Sequence, residues 1–479
     1  METFANYING QLVSKKTDSY LENANPATGE VYSLLPDSSS HELEEAIRAA
    51  EKIQPSWEAI GVAGRGDYLN RLADKIESNL DLLAAAESED TGKPIALAKT
   101  LDIPRAASNF RFFAQAVSQF ASESHNMDNQ AINYTLRDPL GVVGCISPWN
   151  LPLYLLTWKI APALAAGNCV IAKPSELAPK TAYLLSQLCI DIDLPKGVLN
   201  ILHGRGSQIG RAITQHSKIK AISFTGGTKT GSEIAASAAP QFKKLSLELG
   251  GKNPALIFAD CNFEKTVEGI IRASFTNQGQ VCMCSSRLYV EQPIYQCFKE
   301  ALIEKAKTLS IGDPLTDVNL GALISKSHQE KVLNYIQLAK QEGGTILCGG
   351  QRLAPVGRCE GGFFITPTII EGLDISARVN QEEIFGPVVT IQPFTSEAEA
   401  LALANGTEYG LAATIWTENL TRLHRLAKQL TCGIVWANSW MLRDLRTPLG
   451  GMKNSGIGRE GGWEALRFFT EPKNICIPY

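Results

Sequence analysis

The chain has 479 residues and a mass of 51.9 kDa, enough for two or three domains with large buried cores. With 44% hydrophobic residues, 20% charged residues and a net charge of -4, it lacks the basic excess of a nucleic-acid binder, and no charge run or low-complexity tract stands out. Its eleven cysteines are odd in number and irregularly spaced, which points to reduced thiols and not to a disulfide framework.

The opening METFANYINGQLVSKK has neither an apolar signal core nor an Arg-rich presequence, so the expected compartment is the cytoplasm. Ser39 and Glu42 then form a capping-box pattern ahead of a helix carrying Leu43, Ala46, Ile47 and Ala50 on one face. A second helix is expected through Leu69, Leu72, Ile76, Leu80 and Leu83, with a stop soon after it in Thr91-Gly92-Lys93-Pro94.

From residue 141 short apolar runs alternate with helical stretches: GVVGCIS, NCVIAKPS, GVLNILHG, AISFTGG, KKLSLELGG and PALIFAD. Strands of this length separated by helices imply a parallel, doubly wound sheet. The apolar stretch Leu151 to Ala172 is broken by Lys159, Pro162 and Gly167 and reads as a buried helix running into a strand, not as a membrane span. A comparable alternation resumes after residue 286 with SRLYVE, GTILCGG, PVVTIQPF, AATIWTE and GIVWANS. Two α/β domains of similar construction follow. AINYTLRDP and the terminal KNICIPY lie outside the alternation and are expected to pair into a small sheet at an assembly edge.

Several residues in these runs carry chemistry. NQGQVCMCSSR places Cys282 and Cys284 two apart; a C-x-C without a second Cys or His pair is a poor zinc signal, so no metal site is expected. In SFTGGTKTG, Gly226 and Gly231 suit a backbone approaching a phosphate at a helix N-terminus, although a plain glycine turn gives the same pattern. Gly204 and Gly206 in HGRG make a second such candidate. Lys173 and Glu176 follow an apolar strand, where open α/β sheets bind ligands; a surface ion pair is the alternative. Glu248, flanked by Leu247 and Leu249, either faces solvent or is buried with the raised pKa a general base needs. Asn150 ends a strand, where its amide is a candidate oxyanion donor or a turn residue.

Taken together, SPWN, AKPSE, FTGG with its G-x-x-x-x-G, LELGGKNP, GQVC, EEIFGP and PLGGMKNSGIGREGG stand in the order found in the NAD(P)-dependent aldehyde dehydrogenase superfamily. The resemblance covers essentially the whole chain. It implies two Rossmann-like, doubly wound α/β domains with a small β oligomerisation element. By this resemblance residues 1–119 and 141–250 would bind NAD, 251–450 would form the catalytic domain, and 120–140 with 463–479 would supply the oligomerisation strands of a homodimer or homotetramer.

The resemblance also implies roles. Cys282 would be the nucleophile that forms a thiohemiacetal and then a thioester. Asn150 and the Cys282 backbone N–H would form the oxyanion hole, and Glu248 would activate the water that releases a free acid. Lys173 and Glu176 would hold the adenosine ribose, favouring NAD over NADP. Gly226 and Gly231 would lie near the pyrophosphate, with Ser147, Trp149, Gly206, Gly227 and Leu249 also against the cofactor. Glu383 would bind the nicotinamide ribose, with Phe385 beside the ring. Gly227 and Lys229 depart from the Ser and the acid that many members carry.

LDIPRAASNFRFFA, NLPLYLLTWKIAPALAAGN and MLRDLRTPLGGMKNSGIGREGG resemble the branch acting on 2-aminomuconate or 2-hydroxymuconate semialdehyde. Such a substrate carries a carboxylate at the far end, which a guanidinium binds in bidentate fashion. Arg105 and Arg443 are the candidates, with Arg111 and Arg446 close enough in sequence to be confused with them. A different aldehyde, aliphatic or betaine aldehyde, and a non-catalytic crystallin-like use of the fold are the alternatives.

Overall fold

The computed structural model describes residues 1–14 and 19–479. Among these residues an eight-stranded sheet has a parallel middle in the spatial order Lys244–Glu248, Ile219–Thr225, Val142–Ile146, Cys169–Lys173, Leu199–Ile201. Strand order reverses between Ile219–Thr225 and Val142–Ile146. The connections leave in opposite directions there and open a crevice at the carboxyl edge, which is where such sheets bind ligands. Val142–Ile146 and Cys169–Lys173 are buried along their whole length, as expected of strands with helices on both faces. Antiparallel strands close the two edges, Asn6–Ile8 with Gln11–Val13 on one side and the two-residue Gly456–Ile457 on the other.

The Ser39–Glu42 capping box is formed at the start of helix Ser40–Ala59, which buries Leu43, Ala46, Ile47 and Ala50. The single helix expected from Leu69 to Leu83 is instead two, Gly61–Ser78 and Leu80–Thr91, parted at Asn79. The cause is local: the Asn79 amide donates to the Lys75 carbonyl at 2.8 Å and its backbone leaves the helical region. Gly92 ends the second helix at φ +72°, a conformation that favours glycine. The apolar stretch from Leu151 gives helix Pro152–Ala165 and strand Cys169–Lys173, and no helix among the described residues is long and apolar enough to cross a membrane.

A seven-stranded sheet, again counted over the described residues, orders Thr345–Cys348, Thr368–Glu371, Val388–Phe394, Ser285–Glu291, Asn253–Ile257, Ala412–Trp416 and Ile434–Ala437, parallel except for the first. The PALIFAD run, read above as the end of the first alternation, therefore belongs to the second sheet. The chain crosses between sheets at Gly250-Gly251, where a side chain on either glycine would collide with Glu383 or with the Cys282 carbonyl. Ala131–Pro139 pairs antiparallel with Thr470–Pro478 and with Ser124–Met127 in a third, largely exposed sheet. Strands ahead of Ser39, such as Tyr20–Ala24 and Val31–Pro36, gave no legible periodicity because they are short and only partly buried.

Candidate active site

The crevice is walled by groups that each strand end delivers. Lys173 closes its strand, and its buried ammonium lies 2.6 Å from Glu176, whose other oxygen accepts the Gly206 N–H at 3.1 Å. Burial alone would push the Glu176 carboxyl up, but Lys173 and the backbone donors more than offset this and hold it below the usual range. Gly226 follows strand Ile219–Thr225, and Gly227 caps helix Thr228–Ala238. A Cβ at Gly226 would meet the Phe224 ring at 2.4 Å, and one at Gly231 would meet Leu249 at 2.4 Å, while Gly227 faces open space. Gly226 and Gly231 are thus required by packing against Phe224 and Leu249, and Gly227 leaves the helix N-terminus open. Ser147 Oγ and Thr225 Oγ1 are buried beside them with no hydrogen-bond partner among the described residues, so polar atoms await a ligand here. Trp149 and Phe385 meet edge to face at 5.3 Å, Phe385 held at φ +62° with its carbonyl bonded to His328 at 2.7 Å. Glu383 reaches back to the Gly251 N–H at 2.9 Å. The set fits a dinucleotide lying across the reversal point.

Cys282 sits in the turn ahead of strand Ser285–Glu291, and its surroundings are tied down at every step. Asn277 and Gln278, both left-handed at φ +53° and +56°, bend the chain into the turn. Gln278 donates to the Ala322 carbonyl at 2.8 Å, and Asn253 donates to the carbonyls of Cys282 and Cys284 at 2.7 and 2.9 Å. Non-glycine residues persist in this conformation only where neighbours over-determine it. The Cys282 thiol is pushed up to about 12, chiefly by burial and then by Glu383 and Glu248, with Arg443 opposing. Cys284 is buried in an apolar cluster with Trp436 and Trp440, the surroundings of an inert thiol. Asn150 donates from Nδ2 to the Gln280 carbonyl at 3.0 Å; that amide nitrogen carries a second hydrogen.

Glu248 ends its strand only 5% exposed, and its Oε1 has no hydrogen-bond partner among the described residues. Burial and then Glu460 push its pKa well above the ordinary 4.5, against Lys159, Arg459 and Arg443. Sequence reading missed this relay: Lys159 Nζ lies 2.7 Å from Glu460 and 3.2 Å from Ser223, and Ser223 donates to Glu460 at 3.1 Å. The signal was present in Lys159 itself, since a lysine inside an otherwise apolar helix needs a buried partner.

The arginines separate. Arg111 is engaged by Asp74 and Glu77, and Arg446 by Asp444, all on the surface. Arg105 and Arg443 line one open cleft of about 1000 Å³ and both reach Tyr154, Arg105 over its ring at 5.9 Å and Arg443 through a 2.7 Å bond to its hydroxyl. Arg443 also lies over the Trp158 ring at 5.2 Å, while its Nη2 is buried without a partner among the described residues.

The sequence of the aldehyde dehydrogenase family matches this chain over residues 12–475. The chain is 48% identical over 480 residues to 2-aminomuconic semialdehyde dehydrogenase of Danio rerio, covering 99% of this chain and 98% of the relative. It is 47% identical to 2-hydroxymuconic semialdehyde dehydrogenase of a Pseudomonas species, covering all of both chains. The NAD+ complex of aldehyde dehydrogenase from Bacillus cereus superposes with a TM-score of 0.97 at 36% identity, over 100% of this chain and 97% of that one.

Proposed function

The chain belongs to the aldehyde dehydrogenase family and is an NAD-dependent oxidoreductase; from that premise we propose that it oxidises a muconic semialdehyde, 2-amino or 2-hydroxy, to the free acid. The observation that carries the substrate reading is Arg443, fixed by Tyr154 and Trp158 with an unpartnered buried nitrogen, and close enough to Glu248 and Cys282 to shift both. A guanidinium held this way meets a carboxylate at the far end of a short substrate, and Arg105 adds a second cation at the same cleft. The names of the two relatives agree with this chemistry.

In this reading the Cys282 sulfur adds to the aldehyde carbon, the carbonyl π pair moves to oxygen, and the thiol proton, held tightly by burial and by Glu383 and Glu248, passes to solvent water as the bond forms. The free hydrogen of the Asn150 amide and the Cys282 N–H meet the developing oxyanion. Bound NAD supplies the hydride acceptor. Lys173 and Glu176 hold its adenosine ribose, with the glycines at 206, 226, 227 and 231, Ser147 and Leu249 along the phosphates and adenosine side. Glu383, Trp149 and Phe385 orient the nicotinamide end. Glu248 then takes a proton from the water that splits the thioester, and the Lys159–Glu460 pair behind it sets the pH at which it can do so. The first sheet with residues 1–119 and 141–250 serves as cofactor domain and 251–450 as catalytic domain. The sheet of 120–140 and 463–479 joins subunits of a homodimer or homotetramer through its exposed Met127, Leu136 and Ile477. The free thiols suit a reducing, cytoplasmic setting.

The test is a comparison of kcat/KM for 2-hydroxymuconic semialdehyde, an aliphatic aldehyde and betaine aldehyde in wild type and Arg443→Ala. Loss of a charged hydrogen bond is worth about 1.5–3 kcal/mol, so the carboxylated substrate should lose roughly tenfold or more while the neutral ones do not. Equal losses on all three substrates would refute the carboxylate anchor.

A further inference from the structure

We propose that Lys93, with Glu87 and Asp102, is a positioning cluster for Asn150: it fixes the oxyanion donor from behind and so controls the rate of carbon–sulfur bond formation and hydride transfer. This rests on the reading of Asn150 as an oxyanion donor. None of the three residues touches the crevice or the substrate cleft.

The observation is a fully buried ammonium with all three hydrogens committed. Lys93 Nζ contacts Asp102 Oδ2 closely, Glu87 Oε1 at 3.3 Å and the backbone carbonyl of Asn150 at 3.0 Å. Lys93, Glu87 and Asp102 are each 0% exposed. Taking an ammonium and two carboxyl groups out of water is costly, and an apolar cluster of similar volume would fill the space at less cost. The arrangement gives direction instead. Glu87 uses its second oxygen on the Leu153 N–H, an otherwise orphaned donor in the first turn of helix Pro152–Ala165. Asn150 is thus held through its own carbonyl by Lys93 and, at 3.1 Å, by Asn277, while the helix that follows it is held by Glu87. Asn277 also donates to the Gln280 carbonyl, the same acceptor that orients the Asn150 amide, so the two halves of the oxyanion site are cross-linked through one atom. Asp102 ends a π-helical turn, Ala98–Asp102, a distortion that aims a side chain inward at the cost of regular helix.

The cluster also has a proton to lose. The groups facing Glu87 are Lys93 and Asp102; burial, followed by Lys93 lowering and Asp102 raising, leaves its pKa up at about 8. Below that pH Glu87 holds its proton. Above it the ionised Glu87 draws the Lys93 ammonium toward itself and lengthens its bond to the Asn150 carbonyl.

The experiment is steady-state kinetics with NAD and 2-hydroxymuconic semialdehyde for Lys93→Met, Asn150→Ala and the double variant, with circular dichroism to verify the fold. Lys93→Met should lower kcat tenfold or more with KM for NAD within twofold, and it should cost little further in the Asn150→Ala background. Unchanged kcat in Lys93→Met, or losses that multiply in the double variant, would overturn the proposal while leaving Asn150 in place. Full activity of Asn150→Ala would remove the reading beneath it. Should Lys93→Met not fold, Glu87→Gln keeps the shape and the neutral form: kcat relative to wild type should rise as pH passes 8, and parallel profiles overturn the assignment.

Discussion

The two ends of the site treat charge in opposite ways. At the Lys173–Glu176 end, each charge is met: ammonium against carboxylate at 2.6 Å, carboxylate against a backbone N–H at 3.1 Å. At the Glu248–Cys282 end, a buried carboxylate and a half-buried thiol have their pKa values driven up, and Glu248 Oε1 has no partner among the described residues. Saturated polar groups make a rigid surface for binding something that must not change. Unsaturated ones, costly to bury, are kept where a proton or a developing charge will arrive. On the proposed reading the first half recognises and the second reacts.

The largest effect should come from emptying the unsaturated end. Glu248→Gln is expected to reduce steady-state kcat by roughly 10²–10⁴-fold while a first turnover of hydride transfer survives as a burst, measured by rapid mixing. The same substitution tests the cost of burial. Because the folded pKa of Glu248 lies above its ordinary 4.5, the folded state holds that proton more tightly than the unfolded chain. The resulting stabilisation is full below about pH 4.5 and fades as pH rises toward the folded value, so Tm of Glu248→Gln should gain on wild type with rising pH.

A smaller effect is expected at the saturated end. Glu176→Gln leaves Lys173 buried beside a neutral amide; KM for NAD should rise about tenfold with kcat on saturating NAD little changed, since the loss falls on binding common to ground and transition states. A fall in kcat with unchanged KM would erase the distinction between the two ends. The finest test shifts a pH limb without removing a reacting group. Glu460 raises the pKa of Glu248 and Lys159 lowers it. Activity that requires ionised Glu248 is lost as pH falls through its pKa, so Glu460→Gln should move the acid limb of kcat to lower pH and Lys159→Met to higher pH. Shifts in the same direction would deny the relay its role.

How much of this was legible in the sequence follows the same division. Lys173, Glu176, Gly226 and Glu248 announce themselves because each stands next to a long apolar strand, and strand ends are where open sheets present their ligands. The Cys282 turn is readable only with its neighbours: Asn277 and Gln278 give no sign of left-handed backbone, because what holds them there is Asn150 and Ala322, contacts distant in sequence. Lys159 and Lys93 were passed over because each was read for what it interrupted, a hydrophobic stretch and a helix stop, and not for the partner its burial demands. The two-residue strand Gly456–Ile457 is too short to carry any period, and the break at Asn79 depends on one side-chain bond. The four candidate arginines are chemically equal in sequence; nearby acids occupy Arg111 and Arg446.

That two-residue strand has a consequence in time. It pairs with Lys244–Glu248 along the outer edge of the first sheet, and the Ser455 carbonyl takes the Leu249 N–H at 2.9 Å, so the backbone on both sides of Glu248 is completed by residues near the end of the chain. During synthesis Cys282 emerges long before them. A growing chain therefore carries both Glu248 and Cys282 before the strand that completes the backbone around Glu248, and Glu460 arrives in the same late segment as that strand.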